Sequence, residues 1–128
     1  MSAVDKNGKP IQQLTRGSKC TPVQMLGYSA ESGLGGILRA VHGLALERIP
    51  VRNVFTAHLA SILRTMALGG RGIAWLPATL VGEDVTGGRL TVAASDGWRI
   101  NLEIRLYRDR ITLGAAAEKF WEAVSSDA

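Results

Sequence analysis

The chain has 128 residues, of which 46% are hydrophobic and 20% charged, and its net charge is +4. This balance is that of a single globular domain and excludes disorder across its body. A single cysteine excludes an internal disulfide, and the arginines are spread along the chain instead of forming the basic cluster that binds nucleic acid.

The first half of the chain predicts a lead-in, a strand and a helix. Residues 1–22 are polar and punctuated by glycine and proline, which favours an extended or loosely held segment. The run VQMLGY over 23–28 predicts the first buried strand. A helix follows, and its expected buried residues are Leu34, Ile37, Leu38, Val41, Leu44 and Ala45.

A strand, a helix and another strand follow as a connected unit. Residues 51–55 predict a short strand that leads into a helix beginning at Thr56. Gly69 and Gly70 end this helix, because glycine adopts the left-handed C-cap conformation at little steric cost. The apolar run 72–76 then predicts a strand covered on both faces of a parallel sheet. The expected buried residues of the helix are Leu59, Ile62, Leu63, Met66 and Ala67.

The remaining residues predict short elements and a final helix. A helical turn over 78–81 is followed by a half-buried strand in which Leu90, Val92 and Ala94 point to one face. Residues 100–107 alternate apolar and polar side chains and predict the longest period-2 strand. Thr112 is the expected cap of the last helix, whose apolar face contains Leu113, Ala116, Ala117, Phe120 and Val124.

The loop between the first strand and the first helix is a candidate anion site. Ligands in parallel sheets bind where strands end and helices begin, and a helix N-terminus offers free N–H groups to a carboxylate or phosphate. Ser29 and Ser32 add hydroxyl donors there. Alternatively, Ser32 only caps the helix. The GLGG run is not a dinucleotide fingerprint, since Leu38 occupies the position of its third glycine.

The side chains that carry most catalytic and metal chemistry are isolated from one another. Cys20, His42 and His58 fall on different elements, and no two of them have metal-ligand spacing. We therefore expect no enzyme activity, no metal and no cofactor. Cys20 follows a lysine and is either a plain surface cysteine or a reactive thiol. The start MSAVDKNGKP lacks a signal-peptide apolar run, and no stretch reaches the ~20 apolar residues that span a bilayer. The expectation is a soluble cytoplasmic protein that contacts no membrane.

Several motifs in order resemble one family. The segments YSAESGLGGIL, FTAHLASILRTMALGGRGIAWLP, GGRL, LEIRLYRDR and AAEKFW together resemble the effector-binding domain of LysR-type transcriptional regulators. The resemblance extends over residues 5–121. It implies an α/β fold like the type-II periplasmic binding proteins, in which two lobes with mixed, mostly parallel sheets and flanking helices hold a small effector between them.

The resemblance implies that this chain contains mainly the second lobe. Residues 1–22 would be the lead-in and inbound crossover, 23–99 the second lobe, and 100–128 an outbound crossover strand with a helix that packs on the first lobe. The winged helix-turn-helix of the family has no counterpart here, so a truncated gene product or an excised fragment is expected.

The resemblance also implies effector contacts at the second strand-to-helix junction. It assigns Phe55, Thr56 and His58 to that role, with an anionic small molecule as the effector. Thr56 would donate its hydroxyl and His58 a ring N–H. The alternative interpretation is a helix-capping threonine and a solvated histidine.

Two functions follow from this resemblance. The first is a ligand-sensing regulatory domain, with weak effector binding or none because half of the cleft is missing. The second is a protein–protein dimerisation module that acts on an intact regulator. In the whole domain the missing lobe would cover Phe120, with Trp121 at its margin, so here these residues fold back, pair with another chain or stay exposed. We expect a homo-oligomer that associates through exposed apolar surface.

Overall fold

The computed structural model describes residues 1–126, and its strands pair in both parallel and antiparallel fashion. The strands are β1 Ser2–Ala3, β2 Val23–Tyr28, β3 Val51–Ala57 and β4 Leu90–Thr91. β2 and β3 are parallel, and β1 and β4 are antiparallel. A parallel bridge joins Met25 to Ile73, so β2 lies between β3 and the Ile73 segment. The bounds predicted for the first strand, 23–28, are those observed.

The described part of the chain contains four α-helices, and the first three of them pack against these strands. They are α1 Gly33–Glu47, α2 Ala60–Leu68, α3 Ala78–Thr86 and α4 Ala115–Ser126. Short 3-10 turns occur at Leu14–Arg16 and Asp96–Trp98. Helices that alternate with parallel strands confirm the predicted α/β class. Among residues 1–126, no helix combines the length and the apolar character that crossing a membrane requires.

Two hydrophobic cores hold the body together. The first lies where α2 and α3 meet the strands, and its buried members are Leu26, Ala57, Leu63, Ala67, Ala74, Val81 and Leu90. The second lies nearer the amino ends of β2 and β3, and its buried members are Leu14, Val23, Ile73 and Ala93. Alternation along each strand sends successive side chains to opposite faces, which is why β2 contributes to both cores.

The lead-in is part of the packed body instead of a loosely held segment. β1 pairs with β4, and the Met1 amine donates to the Ala74 carbonyl oxygen at 2.7 Å. Leu14 is fully buried in the second core. The glycine and proline residues shape turns in this segment, but its apolar residues still find partners far along the chain.

The junction between β3 and α2 lies later than the sequence predicts. β3 continues through Ala57 and α2 begins at Ala60, so the prediction of a helix from Thr56 is wrong. The reason is the partner strand, because β2 pairs with this chain as far as Ala57. Pairing with a neighbouring strand outweighs the small intrinsic helix preferences of the residues involved. Gly70, at φ +71°, provides the predicted left-handed residue after α2.

The buried faces of the first two helices are only partly those predicted. In α2, Leu63 and Ala67 are buried, but Leu59 and Ile62 are exposed. In α1, Leu38 is buried and Leu34 is half-buried, whereas the other four predicted residues are exposed. These exposed residues are Ile37, Val41, Leu44 and Ala45. α1 thus has two apolar stripes, and the core covers the one that contains Leu38.

Three further elements differ from their predicted extents. α3 is a helix of nine residues instead of a single turn. β4 ends at Thr91, after which Val92 is exposed and Ala93 is buried, so the predicted alternation fails. Residues 72–76 are buried or half-buried as predicted, but only Ile73 forms a bridge.

The C-terminal segment leaves the body. Residues 100–107 form no strand in the described chain, in contrast to the prediction, and Ile104 is 99% exposed. The segment has no neighbouring strand there, and an extended chain without a ladder partner is not a strand. α4 begins at Ala115, three residues after the predicted cap, and has no buried residue. Phe120 is 58% exposed, which is one of the outcomes that the sequence led us to expect.

Candidate functional site at the carboxyl ends of β2 and β3

The parallel strands β2 and β3 end at the same edge and bring two predicted site residues together. The backbone N–H of Ser29 donates to the Ala57 carbonyl oxygen at 3.0 Å, which ties the two strand ends. The Ser29 hydroxyl lies 3.3 Å from His58 Nδ1, within hydrogen-bond distance. His58 is exposed, so this pair faces solvent.

A β-bulge in β3 determines which side chains accompany this pair. Met25 lies opposite Asn53, but Leu26 lies opposite Phe55, so Val54 is an extra residue on β3. The bulge shifts the alternation by one residue. Phe55 therefore packs against the first core, while Thr56 comes to the same face as Asn53, three positions earlier.

The bulge allows a hydrogen bond between Asn53 and Thr56. Asn53 Nδ2 donates to Thr56 Oγ1 at 2.8 Å. Thr56 lies opposite Gly27 in the ladder, and a Cβ at Gly27 would approach Asn53 Oδ1 to 2.8 Å. Glycine at this position therefore leaves the space that the Asn53 amide occupies. We call Ser29, Asn53, Thr56 and His58 the carboxyl-edge patch.

Asn53 is the member of the carboxyl-edge patch that sequence reasoning missed. A glycine inside an apolar strand often marks a bulge or a close approach, so Gly27 was the available signal. The bulge at Val54 depends on the register with β2. Periodicity in one strand does not reveal such a register.

The other two predicted effector residues occupy different surroundings. Ser32 is 5% exposed, and its hydroxyl accepts from the Gly35 N–H at 3.3 Å, so it is the N-cap of α1. Phe55 is half-buried against the first core.

Thr56 is not a helix cap, because it lies within β3 and α2 begins later. His58 is exposed, as the alternative interpretation of a solvated histidine has it.

The start of α1 adds positive potential near this edge. A helix N-terminus carries the positive end of the helix dipole. Arg39 Nη2 donates to the Ala30 carbonyl oxygen at 2.9 Å, which holds its guanidinium against the loop that precedes α1. Gly35 permits the close packing of this helix, because a Cβ there would lie 2.7 Å from Tyr28 Cβ. The start of α1 and the Arg39 guanidinium therefore place positive potential beside the loop that follows β2.

Tyr28 closes the other side of the strand end. Its hydroxyl donates to the Trp75 carbonyl oxygen at 2.8 Å. Burial raises the pKa of Tyr28 to about 12, so its phenol is neutral at ordinary pH and keeps the proton with which it donates this hydrogen bond. The residue consequently anchors β2 to the Ile73 segment.

The remaining histidine and the cysteine lie away from the carboxyl-edge patch. The His42 ring packs against Trp98 and Trp75, with centroid distances of 5.0 and 6.3 Å. Cys20 is exposed. Within residues 1–126, no group of three histidine, cysteine or acidic side chains is arranged to hold a metal ion.

Two surface grooves include residues near the amino end of β2. One, of about 320 Å³, is lined by the lead-in and by residues up to Gln24. The other, of about 270 Å³, lies between Gln24 and Arg71 and includes Phe55. Of the predicted effector residues, Phe55 lines the second of these two grooves. The carboxyl-edge patch lies at the surface, where Asn53, Thr56 and His58 are exposed and Ser29 is half-buried.

Comparison with known proteins identifies the family. Residues 17–128 match the LysR substrate binding domain family. The HTH-type transcriptional regulator YjiE of Escherichia coli (strain K12) is 29% identical over 119 residues, which are 93% of this chain and 38% of that protein. The HTH domain-truncated transcriptional regulator QseD of Escherichia coli O157:H7 is also 29% identical over 119 residues, 93% of this chain and 47% of that protein.

A solved structure agrees with this assignment. A mutant regulatory domain of HypT from Salmonella typhimurium superposes with a TM-score of 0.78 and 26% identity, over 98% of this chain and 67% of that one. The chain spans less than half the length of the two curated relatives. The resemblance inferred from the sequence is confirmed, and so is the expectation of one part of an α/β regulatory domain. The chain belongs to the LysR substrate-binding domain family, a family of transcriptional regulators.

Proposed function

We propose that this chain is the effector-binding regulatory module of a LysR-type regulator and that the carboxyl-edge patch is its share of the binding cleft. The observation that carries the proposal is the pair of adjacent hydrogen bonds at the ends of parallel strands, Ser29 to His58 and Asn53 to Thr56. Open α/β sheets bind ligands at this edge. Asn53, Thr56 and His58 are exposed and do not belong to either hydrophobic core, so packing does not explain the presence of polar side chains at these positions.

The proposed effector is a small anion. Ser29, Thr56 and His58 present hydrogen-bonding groups directly, and Arg39 with the α1 N-terminus supplies positive potential. Ser32 contributes by capping α1, and Phe55 by packing the carboxyl end of β3 against the first core. We keep these five predicted residues, Ser29, Ser32, Phe55, Thr56 and His58, as the proposed effector set.

Effector binding by the chain alone should be weak, because one wall of a cleft provides only part of the contacts. We therefore expect millimolar affinity for simple carboxylates such as benzoate, measured by isothermal titration calorimetry or by NMR shift changes. Thr56→Val should weaken binding, whereas Thr86→Val, on α3 and remote from the patch, should leave it unchanged. Micromolar binding by the isolated chain would contradict the one-wall proposal, and equal affinities of the two variants would contradict the placement of the site.

We also propose the domain division into 1–22, 23–99 and 100–128. The exposure of residues 100–107 and of α4 supports a C-terminal part that packs on another structural unit. Leu14 is buried in the second core, so residues 1–22 fold together with residues 23–99. The proposed boundary between these two segments therefore separates their roles and does not separate two folding units.

A second candidate function is a dimerisation module, and a specific observation favours it. The exposed stripe of α1 and the C-terminal segment 100–124 together carry many large apolar side chains. Contiguous exposed apolar surface is typical of association sites. We propose that the chain forms homo-oligomers through these surfaces and can pair with an intact regulator. Light scattering at tens of micromolar tests this, and a strictly monomeric mass would contradict it.

The cellular setting of the proposal follows from its role. A regulator of transcription acts in the cytoplasm of a bacterium, and we propose that location here. DNA contact is proposed for other residues of the assembled regulator, since the arginines of this chain are dispersed over many elements.

A further inference from the structure

We infer that Asn53 is a positioning residue of the proposed effector site, which sets the Thr56 hydroxyl to donate and so selects a ligand oxygen that accepts a hydrogen bond. The inference rests on the proposed function and adds the chemical class of atom that this subsite takes. A carboxylate, sulfonate or phosphate oxygen has that chemistry, whereas an ammonium or an amide N–H does not.

The first step is the direction of the hydrogen bond between the two side chains. Asn53 Nδ2 donates to Thr56 Oγ1 at 2.8 Å. A threonine hydroxyl has one proton and two lone pairs. The amide occupies one of these lone pairs, and accepting that hydrogen bond polarises the hydroxyl, which strengthens the hydrogen bond that its own proton donates to a further partner. Thr56 is exposed, so that partner is a ligand or water.

The second step is the device that holds the amide in place. Asn53 and Thr56 are three residues apart and would point to opposite faces of a regular strand. The extra residue Val54 brings them to one face. Gly27 supplies the space, since a Cβ there would lie 2.8 Å from Asn53 Oδ1. The bulge and the glycine therefore serve the same arrangement, although they lie on different strands.

The third step is the consequence for an anionic ligand. A hydroxyl that is pre-oriented to donate pays less entropy on binding than a free rotor. Hydrogen bonds to charged acceptors are stronger than neutral ones. Losing the Asn53 amide should therefore weaken the binding of a carboxylate by about threefold to tenfold, and the binding of a neutral ligand of the same shape by less.

The first experiment observes the positioning itself in the ligand-free chain. In ¹H–¹⁵N spectra, Thr56→Val should shift the Asn53 side-chain amide and accelerate its exchange, whereas Thr56→Ser should preserve it. Gly27→Ala should displace the amide at little cost to folding, because the contacted atom is the end of a flexible side chain. Gly82→Ala is the matched control, since a Cβ there meets nothing within 4 Å. An Asn53 amide signal that is unchanged in Thr56→Val would overturn the inference.

The second experiment measures specificity with benzoate and benzamide as probes. Asn53→Ala and Gly27→Ala should each weaken benzoate binding by about threefold to tenfold and benzamide binding by less, because the neutral carbonyl oxygen of benzamide is the weaker acceptor. The Asn101→Ala control should bind both probes within about twofold of the parent. Benzoate binding with an unaltered affinity in Asn53→Ala would refute the positioning role and leave the proposed function intact. If the parent chain binds neither probe, the proposed carboxylate function fails, and the amide spectra alone decide the role of Asn53.

Discussion

Arg64 on α2 donates two hydrogen bonds to the buried carboxylate of Asp84 on α3, from Nε at 2.6 Å and from Nη2 at 2.9 Å. Arg89 adds a third contact at 2.6 Å from the residue that precedes β4. The Asp84 side chain is 1% exposed, so the two arginines replace the hydrogen bonds that water would make to its carboxylate. The three-residue cluster joins α2, α3 and the start of β4 beside the first core.

Replacing Asp84 by asparagine should lower the melting temperature by several degrees. The hydrogen bond from Arg64 holds the pKa of Asp84 below its ordinary value of 3.8. The unfolded chain therefore takes up this proton first as the pH falls, so the stabilisation is present above pH 3.8 and is lost below it. Asp84→Asn should have a lower melting temperature at pH 7 and a smaller acid-induced loss than the parent.

The matched control for this prediction is Asp96→Asn. Asp96 contacts Arg99 at 3.3 Å, but the two side chains are 90% and 67% exposed. Ion pairs between such exposed side chains contribute little to folding stability. Equal melting temperatures of the two variants in calorimetry would refute the structural importance assigned to Asp84.

Ser32→Ala should destabilise the chain by about 1 kcal/mol, the usual cost of a lost N-cap. The Ser32 hydroxyl accepts from the Gly35 N–H at 3.3 Å. Ser32→Asp should retain most of the stability, because a carboxylate accepts the same hydrogen bond and suits the helix dipole. Urea unfolding followed by circular dichroism measures both variants. If Ser32→Ala unfolds like the parent but loses benzoate affinity, the serine is a direct ligand contact and not a cap.

Tyr28 should ionise only in strongly alkaline solution. Burial raises the pKa of Tyr28 from 10.0 to about 12. Between these values the unfolded phenol loses its proton first, so the contribution of Tyr28 to stability is full below pH 10 and falls as the pH rises to 12. In Tyr107→Phe, Tyr28 is the remaining tyrosine, and its absorbance at about 295 nm reports the titration directly. A midpoint near pH 10 with the circular dichroism of the folded chain would contradict the prediction.

A sequence pattern predicts the structure reliably when only one structural arrangement is compatible with it. The apolar strand 23–28 has one, and its predicted bounds are those observed. α1 has two apolar stripes, Leu34 with Leu38 and Ile37 with Val41, and periodicity alone does not say which one the core covers. The structure covers the Leu38 stripe.

The carboxyl-edge patch shows the same division between what is local and what is not. Strand-to-helix junctions are visible in the sequence, so it predicts Ser29 and His58 as site residues, and the structure brings these two together. Asn53 is not predicted, because its place beside Thr56 results from the register of β3 against β2. A bulge is a property of a pair of strands, and a single-strand pattern does not contain it.

The ionised carboxylate of Glu118 should stabilise the start of α4 even at pH 4, where an ordinary glutamate is largely protonated. Two Arg108 nitrogens contact its carboxylate at 2.7 and 2.9 Å, and the Leu113 N–H donates to it at 3.0 Å. The hydrogen bond from Arg108, with that from Leu113, lowers the pKa of Glu118 from 4.5 to about 2. The stabilisation is therefore present above pH 4.5 and declines as the pH falls towards 2. Amide exchange of α4 should stay slow at pH 4 in the parent and become fast in Glu118→Gln.

The control for the Arg108–Glu118 pair is Glu103→Gln. Glu103 pairs with Arg105 at 2.6 Å, but the two side chains are 72% and 63% exposed in a segment without helix. Its replacement should leave exchange in α4 unchanged. High salt should reduce the difference between the parent and Glu118→Gln, because the pair is partly open to solvent. A salt-independent difference would assign the effect to something other than charge.

The two exposed apolar surfaces should contribute unequally to self-association. Ile104 is 99% exposed in a segment without strand partners, whereas Leu44 is 78% exposed on the regular surface of α1. An extended segment with alternating apolar side chains can add to a sheet edge of a second copy, and a charge at its centre opposes that pairing. Ile104→Lys should therefore reduce the mass measured by light scattering more than Leu44→Lys does, with Asn101→Lys as the charge-matched control. A larger effect of Leu44→Lys would instead place the contact on α1, where both copies would present the same helix across a twofold axis.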